Sequence, residues 1–368
     1  MRWIRDLGIT IGEMPTGVWN AITDVAGVRV GHATLISGEG GLRPGEGPVR
    51  TGVTVVLPHS RDLYQQKVRA AVHTINGFGK VAGFEQVREL GTIEAPIALT
   101  NTLNVGLVLD AIVQYSIRQN PSIGIRPDSG SVNSVVGETN DSYLNDIQGR
   151  HVRLEHVLGA IENASSGQVH EGSVGAGTGT MCFGWKGGIG SASRLLPADL
   201  GGYTLGALVQ SNFGSPHDLI LAGFPVGLHL SPPMALPKPP PPLAPGSIMI
   251  ILATDAPLSS LQLGRLCVRA SAGLARTGSM LNYGSGDFVV AFSTAQLVPH
   301  QSPASTMPLV GLANEAAILN SLFRAVIESV EEAVLNSLAA AQTMTGRDGH
   351  IAHALPLDQV HELLQSKP

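Results

Sequence analysis

A proline-rich segment that leads straight into an apolar run divides this chain of 368 residues. Eight prolines fall within the sixteen residues 231–246, a density that excludes a helix or a central strand and predicts an extended linker. Residues 248–254 are almost wholly apolar and predict a buried strand. The sequence therefore predicts that Ser247 lies where an exposed linker enters a sheet.

The Gly246-Ser247 pair at this junction can supply an activated serine hydroxyl group. If the bond between the two residues is cleaved, Ser247 gains a free α-amine beside its own hydroxyl group. An α-amine has a reference pKa of about 7.7 to 8.0, so part of it is neutral near pH 7 and can accept the hydroxyl proton. Pro245 restricts the linker, whereas Gly246 tolerates the backbone angles that attack by the next residue requires. The alternative interpretation is a flexible Gly-Ser joint.

Composition narrows the classes of protein that fit. The length allows two domains or one large layered domain. Only 14% of residues are charged, so oligomer contacts are expected to cover part of the surface. The net charge of -5, with scattered Lys and Arg, argues against nucleic-acid and membrane partners. Residues 1–6 are not followed by an apolar signal region, and no window approaches the roughly 18 apolar residues of a membrane span, which predicts a soluble, non-exported protein.

The two cysteines, Cys182 and Cys267, lie in apolar stretches without CxxC spacing, which predicts buried free thiols and a cytoplasmic location. His350 and His353 lack a third ligand at metal spacing, and no HExxH pattern occurs, so we expect neither a metal nor a cofactor. The glycine-dense passage 172–190 contains neither a Walker pattern nor a full GxGxxG, and it predicts close backbone packing.

Periodicity predicts strands alternating with helices. The predicted strands cover residues 51–57, 96–100, 203–213, 248–254 and 288–292. The predicted helices cover residues 103–118, 152–161, about 18 residues that include Leu263 to Leu274, and residues 314–341. This order implies layers of helix against sheet.

Four further segments flank the Gly246-Ser247 junction: VGETNDSYL at 136–144, VQSNFG at 209–214, NYGSGDF at 282–288 and TMTGRDGH at 343–350. Together they make the chain resemble the DmpA-type aminopeptidases, which include the L-aminopeptidase/D-esterase and the β-aminopeptidases. The resemblance covers nearly the whole length. It implies an α+β fold, a four-layer αββα sandwich similar to the N-terminal-nucleophile hydrolases but with different strand connectivity.

The resemblance also implies a precursor that cleaves itself between Gly246 and Ser247. Residues 1–246 would form an α-segment that ends in the proline-rich linker, and residues 247–368 a β-segment that starts at the nucleophile. Both segments would remain in one domain. About four such αβ units would assemble into a homo-oligomer.

Carried over position by position, the resemblance makes Ser247 the nucleophile, with Ser285 and Asp287 as its partners. Tyr143 and Asn212 would hold the oxyanion, and their hydroxyl and amide groups are suitable donors. Glu138 would recognise the free amino group of the substrate. Where β-aminopeptidases tend to carry Glu at the acidic position, this chain has Asp287, one methylene shorter.

Each of these residues also has a structural interpretation. Ser285 to Asp287 could form only a turn before the strand at residue 288, since Gly, Ser and Asp all favour turns. Tyr143 could be a core aromatic, Asn212 a strand-end amide that satisfies loose backbone groups, and Glu138 a solvated loop acid.

The sequence thus predicts a self-processing serine aminopeptidase that acts on short peptides, amides or esters through an acyl-enzyme on Ser247. One alternative is an acyltransferase of the ornithine acetyltransferase type, although those enzymes use Thr at the cleavage position. Another is a non-catalytic oligomeric binding protein whose proline-rich segment docks partners as a polyproline helix.

Overall fold

The computed structural model describes residues 3–233 and 246–365, which form six α-helices and fourteen β-strands. The strands are β1 (Arg29–Ser37), β2 (Val49–Leu57), β3 (Gln66–Gly77), β4 (Thr92–Ile93), β5 (Ile97–Asn101), β6 (Val135–Thr139), β7 (Met181–Cys182), β8 (Trp185–Lys186), β9 (Ile189–Leu195), β10 (Thr204–Asn212), β11 (Gly246–Thr254), β12 (Ser285–Pro299), β13 (Met344–Thr345) and β14 (Ile351–Ala352). The helices are α1 (Phe84–Leu90), α2 (Val105–Gln119), α3 (Leu154–Glu162), α4 (Ser260–Arg276), α5 (Glu315–Ala339) and α6 (Leu357–Gln365).

Two sheets make up the centre of the molecule. One has four strands in the order β1-β2-β5-β6, and the other has six in the order β4-β3-β12-β11-β10-β9. The pairs β5/β6 and β11/β12 are parallel, and the other pairs within these two sheets are antiparallel. In the six-stranded sheet, β11 and β12 therefore lie side by side in the middle, and strands from before residue 246 flank them on both sides.

The alternation of side chains along β11 shows how the layers are built. Ile248 and Ile250 face the core that the six-stranded sheet shares with α4 and α5. Met249 and Ile251 face the opposite core, which lies between the two sheets. A third core joins the four-stranded sheet to α2 and α3. The layers thus run αββα, and the predicted sandwich is confirmed.

Close backbone approach explains the glycines of the passage 172–190. A β-carbon on Gly190 in β9 would lie 1.9 Å from the carbonyl oxygen of Ala333 in α5, and one on Gly188 would lie 2.1 Å from that of Gly172. Since no side chain fits at such distances, these glycines let strand, loop and helix backbones touch. The predicted close packing is confirmed at these positions.

The helix α4 begins where the sequence provides a cap. The Ser259 side chain accepts the backbone N–H of Gln262, and the Gln262 side chain reaches back to the Ser259 backbone, a capping box. The apolar face of α4 is buried and includes Leu263, Leu266, Cys267, Ala270 and Leu274. None of the helices in the described ranges combines the length and apolar character that a bilayer span needs.

The long helix α5 carries a buried charge cluster as well as an apolar stripe. Its apolar stripe is buried and consists of Leu319, Leu322, Val326, Val330, Val334 and Leu338. Glu328 and Glu332 are buried too, because Arg194 of β9 donates to Glu328 at 3.0 Å and to Glu332 at 2.6 Å. Arg5 also bonds Glu332, at 2.8 Å, and ties the N-terminal residues to α5. These paired charges explain how the buried part of α5 can contain acidic residues.

Most predicted elements occur within one to three residues of their expected bounds, but one interpretation is wrong. The strand predicted from residue 288 begins at Ser285 as β12, so Ser285 to Asp287 are part of the strand. The turn lies earlier, at Tyr283 and Gly284. Residues 234–245 of the predicted linker lie outside the described residues.

Candidate active site

Ser247 is the second residue of β11 and is buried, with 4% of its surface exposed. Its side chain shares the inter-sheet face with Met249, because it lies two residues away along the strand. Within the described residues, its hydroxyl oxygen has no hydrogen-bond partner. A buried hydroxyl without a partner is unusual, and it leaves the oxygen uncommitted.

Ser285 and Asp287 lie beside this position on the parallel strand β12, where Ser285 pairs with Gly246 and Asp287 with Ile248. A β-carbon on Gly246 would come within 3.2 Å of the Ser285 Oγ, so that hydroxyl packs against the residue before the nucleophile candidate. Ser285 donates to Asp287 Oδ1 at 2.6 Å. The shorter Asp287 side chain therefore still reaches its serine partner.

The Asp287 carboxyl group is buried and could pair with a cation formed at Ser247. It is 1% exposed, and its Oδ2 has no partner in the described part of the chain. Burial raises the pKa of Asp287 to about 6, against the opposing effect of hydrogen bonds from Ser285 and the Ile248 backbone. An ammonium group on Ser247 would give this buried carboxylate the counter-charge that it lacks.

Asn212 is the last residue of β10 and lies directly opposite Ser247 in the antiparallel ladder. Its side chain thus projects from the same face of the sheet. The Met181 backbone N–H donates to Asn212 Oδ1 at 3.0 Å. Because that bond occupies the amide oxygen, the NH₂ group remains available as a donor.

Glu138 approaches from the other sheet. It lies on β6, where Gly137 packs closely against β11: a β-carbon on Gly137 would be 2.2 Å from the Met249 Cε, so the Met249 side chain would have to move. Glu138 Oε1 accepts the Lys80 backbone N–H at 2.9 Å, and the Thr102 hydroxyl donates to Oε2. Burial raises the pKa of Glu138, while those hydrogen bonds oppose the shift. Glu138 is therefore a buried, held carboxyl group and not a solvated loop acid.

A cleft of about 370 Å³ contains Ser247 and Glu138 together. Its lining residues are Gly77, Phe78, Gly79, Lys80, Thr102, Glu138, Asn140, Gly246, Ser247 and Gly284. A hydroxyl group on one sheet thus faces a carboxyl group on the other across a space that a short peptide end can enter.

Tyr143 lies differently from the other candidates. Its half-buried ring stacks on His350 with centroids 4.5 Å apart, and its carbonyl oxygen is 2.8 Å from His350 Nδ1. Burial raises the pKa of its phenol, so the hydroxyl keeps its proton at neutral pH. Among the described residues the cleft is lined by Asn140, three positions earlier, and not by Tyr143.

The site also depends on residues that the sequence argument did not single out. Gln210 of β10 is fully buried, and its amide donates to the Thr100 carbonyl at 3.0 Å, the Thr139 hydroxyl at 2.8 Å and the Ala176 carbonyl at 3.0 Å. It links the sheet of Asn212 to the sheet of Glu138. A glutamine within an apolar strand is the signal that marks such a residue from sequence.

Lys186 of β8 is a second such residue. It is fully buried, and its Nζ lies 2.7 to 3.0 Å from the carbonyl oxygens of Gly177, Thr180 and Gly187. These contacts anchor the β7–β8 hairpin, whose Met181 orients Asn212. In residues 3–233 and 246–365, no group of three or more His, Cys, Asp or Glu side chains is arranged to hold a metal ion.

Comparison with known proteins decides the family. The model of peptidase family S58 matches residues 20–352. The chain belongs to peptidase family S58. The predicted resemblance to DmpA-type aminopeptidases is thereby confirmed, and family S58 membership makes the chain a hydrolase that acts on peptides.

Relatives support this assignment over the full length. The chain is 42% identical to the β-peptidyl aminopeptidase BapA of Sphingosinicella microcystinivorans over 98% of this chain and 91% of the relative. The PH0078 protein of Pyrococcus horikoshii OT3 has a TM-score of 0.92 at 48% identity, with 99% of both chains covered. The L-aminopeptidase D-Ala-esterase/amidase of Ochrobactrum anthropi, a variant of the Ntn hydrolase fold, has a TM-score of 0.89 at 38% identity and covers 99% of this chain and 98% of its own.

Proposed function

We propose that this chain is a self-processing serine aminopeptidase that releases N-terminal residues from short peptides, amides or esters. The relatives named β-peptidyl aminopeptidase and L-aminopeptidase D-Ala-esterase/amidase support the reaction class. The observation that carries the proposal is the cleft in which the uncommitted hydroxyl of Ser247 faces the buried carboxyl group of Glu138.

Processing would begin with attack of the Ser247 hydroxyl on the Gly246 carbonyl carbon. The C–N bond between the two residues breaks as the C–O bond forms, and the nitrogen takes a proton to become the Ser247 α-amine. Water then hydrolyses the Gly246–Ser247 ester and frees both the Gly246 carboxylate and the Ser247 hydroxyl. Residues 1–246 would remain associated with residues 247–368.

Turnover would use the groups that processing creates. The neutral α-amine accepts the Ser247 hydroxyl proton as the oxygen attacks the substrate carbonyl, and Ser285 with Asp287 holds the resulting ammonium. The Asn212 amide, assisted by Tyr143, donates to the oxyanion. The leaving amine takes the proton, and water hydrolyses the acyl-enzyme.

Glu138 would select substrates with a free amino group. Its carboxylate stands in the same cleft as Ser247, and a substrate ammonium placed there would restore the charge balance of a buried acid. An acyl-blocked peptide lacks that cation. We expect blocked peptides to be poor substrates.

Mass spectrometry of purified protein tests the cut site directly. Wild-type protein should give two fragments that meet between Gly246 and Ser247, and Ser247→Ala should give one inactive chain. Ser231→Ala, a control at an exposed serine near the same linker, should be processed normally. Intact, active wild-type protein would refute the scheme, and acetyl transfer to ornithine without peptide hydrolysis would favour the acyltransferase alternative.

We further propose a homo-oligomer of about four αβ units in the cytoplasm. The exposed side chains of Leu261 and Val268, which line one surface groove, support assembly, because contiguous apolar surface favours contacts between subunits. The unpaired, buried thiols of Cys182 and Cys267 are consistent with a reducing compartment. Light scattering of the processed protein measures the number of units.

A further inference from the structure

A second cavity, of about 150 Å³, shares no lining residue with the Ser247 cleft. It lies where β1 begins and β2 ends, and the last turns of α2 cover it. Its wall includes Arg29 and Leu57, which are partners in the β1–β2 ladder, together with Asp62, Glu94 and Tyr115. Charged groups of both signs therefore face a small enclosed space.

The two acids of this wall are already engaged. Asp62 Oδ1 accepts backbone N–H groups from Tyr64 at 2.9 Å and Gln65 at 3.3 Å, and the Asn120 amide reaches both carboxylate oxygens at 3.2 and 3.0 Å. Glu94 pairs with Lys67 and accepts from the Gln86 amide at 3.0 Å and the Asn133 N–H at 2.8 Å. Neither carboxylate lacks donors.

The other titratable groups of the wall are held as well. His59 Nε2 lies 2.7 Å from the Gln66 carbonyl oxygen, and His59 Nδ1 accepts the Arg61 N–H at 3.1 Å. The Arg61 guanidinium donates to the Gln66 side chain at 3.0 Å. The Tyr64 hydroxyl donates to the Ser129 carbonyl.

Two donors of the wall stand apart from this network. In the described part of the chain, the half-buried Arg29 guanidinium makes no ion pair, and its buried Nε has no hydrogen-bond partner. The Tyr115 hydroxyl likewise has no partner among those residues. Burial and the charge of Asp62 raise the pKa of Tyr115, while the charge of Arg29 opposes the shift, so the phenol remains a donor close to Arg29. Burial of a cation without a counter-ion is unfavourable, so an anion bound beside Arg29 would stabilise it.

We infer that this cavity binds a small monocarboxylate, with the Arg29 guanidinium as its counter-ion and the Tyr115 hydroxyl as a second donor. The planar fork of Arg29 matches two oxygens of one carboxylate. The volume admits a molecule of the size of acetate. Asp62 and Glu94 would repel a phosphate dianion, which favours a single negative charge.

Isothermal titration of the full-length protein at pH 8, with sodium acetate and separately with sodium phosphate at matched ionic strength, tests this assignment. We expect saturable acetate binding that is about 10-fold weaker in Arg29→Gln, because a charge-assisted pair is lost. Tyr115→Phe should weaken binding less, and Arg29→Lys should lie between wild type and Arg29→Gln. Arg43→Gln, at a side chain that is 77% exposed, is the matched control and should bind acetate normally.

Three results would overturn the inference: no saturable acetate binding by wild type, equal affinity in Arg29→Gln, or tighter binding of phosphate than of acetate. If Arg29→Gln fails to fold, Tyr115→Phe and Arg29→Lys decide between the same outcomes. Peptide hydrolysis should be unchanged in Arg29→Gln. The acetate site and the proposed reaction at Ser247 are therefore tested independently.

Discussion

Asn212 and Ser247 lie directly opposite each other in the β10–β11 ladder, with both side chains on the face between the two sheets. The register of two strands thus sets a hydroxyl beside an amide donor without any loop to position either one. The Met181 N–H holds the amide oxygen, so the donor end of Asn212 stays free. Rigid elements of this kind suit a group that must stabilise charge in a transition state.

Replacement of Asn212 by alanine should lower kcat for peptide hydrolysis by about 100- to 1,000-fold, the usual effect of removing one oxyanion donor. KM should change little, because in the proposed mechanism the amide acts on the transition state and not on the bound substrate. Steady-state kinetics on a peptide amide measure both constants. A 100- to 1,000-fold rise in KM with unchanged kcat would instead identify Asn212 as a substrate-binding residue.

Replacement of Thr102 by valine should shift the pH dependence of KM. The Thr102 hydroxyl lowers the pKa of Glu138, so its loss raises that pKa further and leaves more Glu138 protonated at acidic pH. KM on the acidic side of the profile should then rise about 10-fold, the effect of one hydrogen bond to a charged group, and should return toward the wild-type value as the pH rises.

Thr254→Val is the control for that experiment. Thr254 makes a comparable buried hydrogen bond, to the Thr204 carbonyl at 2.7 Å, and its ladder partners are Leu205 and Ser293, not Glu138. This control variant should lower the free energy of unfolding without shifting the pH dependence of KM. A profile that shifts equally in both variants would contradict a specific role for Thr102.

The charge of Asp287 should make the uncleaved precursor less stable as the pH rises. Its pKa is raised from 3.8 to about 6 in the folded chain, so the folded state holds the proton more tightly and loses stability between about pH 4 and pH 6. In a Ser247→Ala background, Asp287→Asn should therefore raise the free energy of unfolding at pH 8 by about 2 to 3 kcal/mol. Urea titrations at pH 8 and pH 4 measure the difference, which should vanish at pH 4.

Asp199→Asn, at an exposed residue, should leave the same pH dependence intact. If Asp287→Asn gave an equal gain at both pH values, the effect would come from packing and not from charge.

Replacement of the buried Lys186 by methionine should destabilise the protein by about 3 kcal/mol or more, because three buried carbonyl groups lose their donor. The anchor of the β7–β8 hairpin is lost with it, and kcat should fall through misplacement of Asn212. Thermal unfolding and kinetics at a temperature where the variant is fully folded separate the two effects. Normal kcat in the folded variant would limit Lys186 to a role in stability.

The sequence predicted those parts of the fold that have a strong local pattern. The strands β2 and β11 and the helix α5 can be predicted from sequence, because burial of a strand or of a helix face imposes a regular pattern of apolar residues. The start of β12 was misjudged because Ser285, Gly286 and Asp287 favour turns locally, whereas pairing with β11 and β3 holds them extended.

The candidate site could be predicted in part for the same reason. The Gly246-Ser247 junction and the segments 209–214 and 136–144 supply Ser247, Asn212 and Glu138, but nothing local indicates that strand register places them around one space. Gln210 and Thr102 act through bonds to residues far away in the chain: Glu138 lies 36 residues from Thr102, and Ala176, the nearest partner of Gln210, lies 34 residues away. Such pairs become visible only once the sheets are assembled.

The place of β11 and β12 inside the six-stranded sheet limits what a cut before Ser247 can do to the molecule. Both strands follow the cut, and they are flanked by β10 on one side and β3 on the other, which precede it. Separate pieces would each expose long unpaired strand edges that invite aggregation. Cleaved molecules should therefore not exchange fragments with one another in solution. The sheet would have to form before cleavage, so the cleaved protein, once unfolded, should not reassemble from its two fragments.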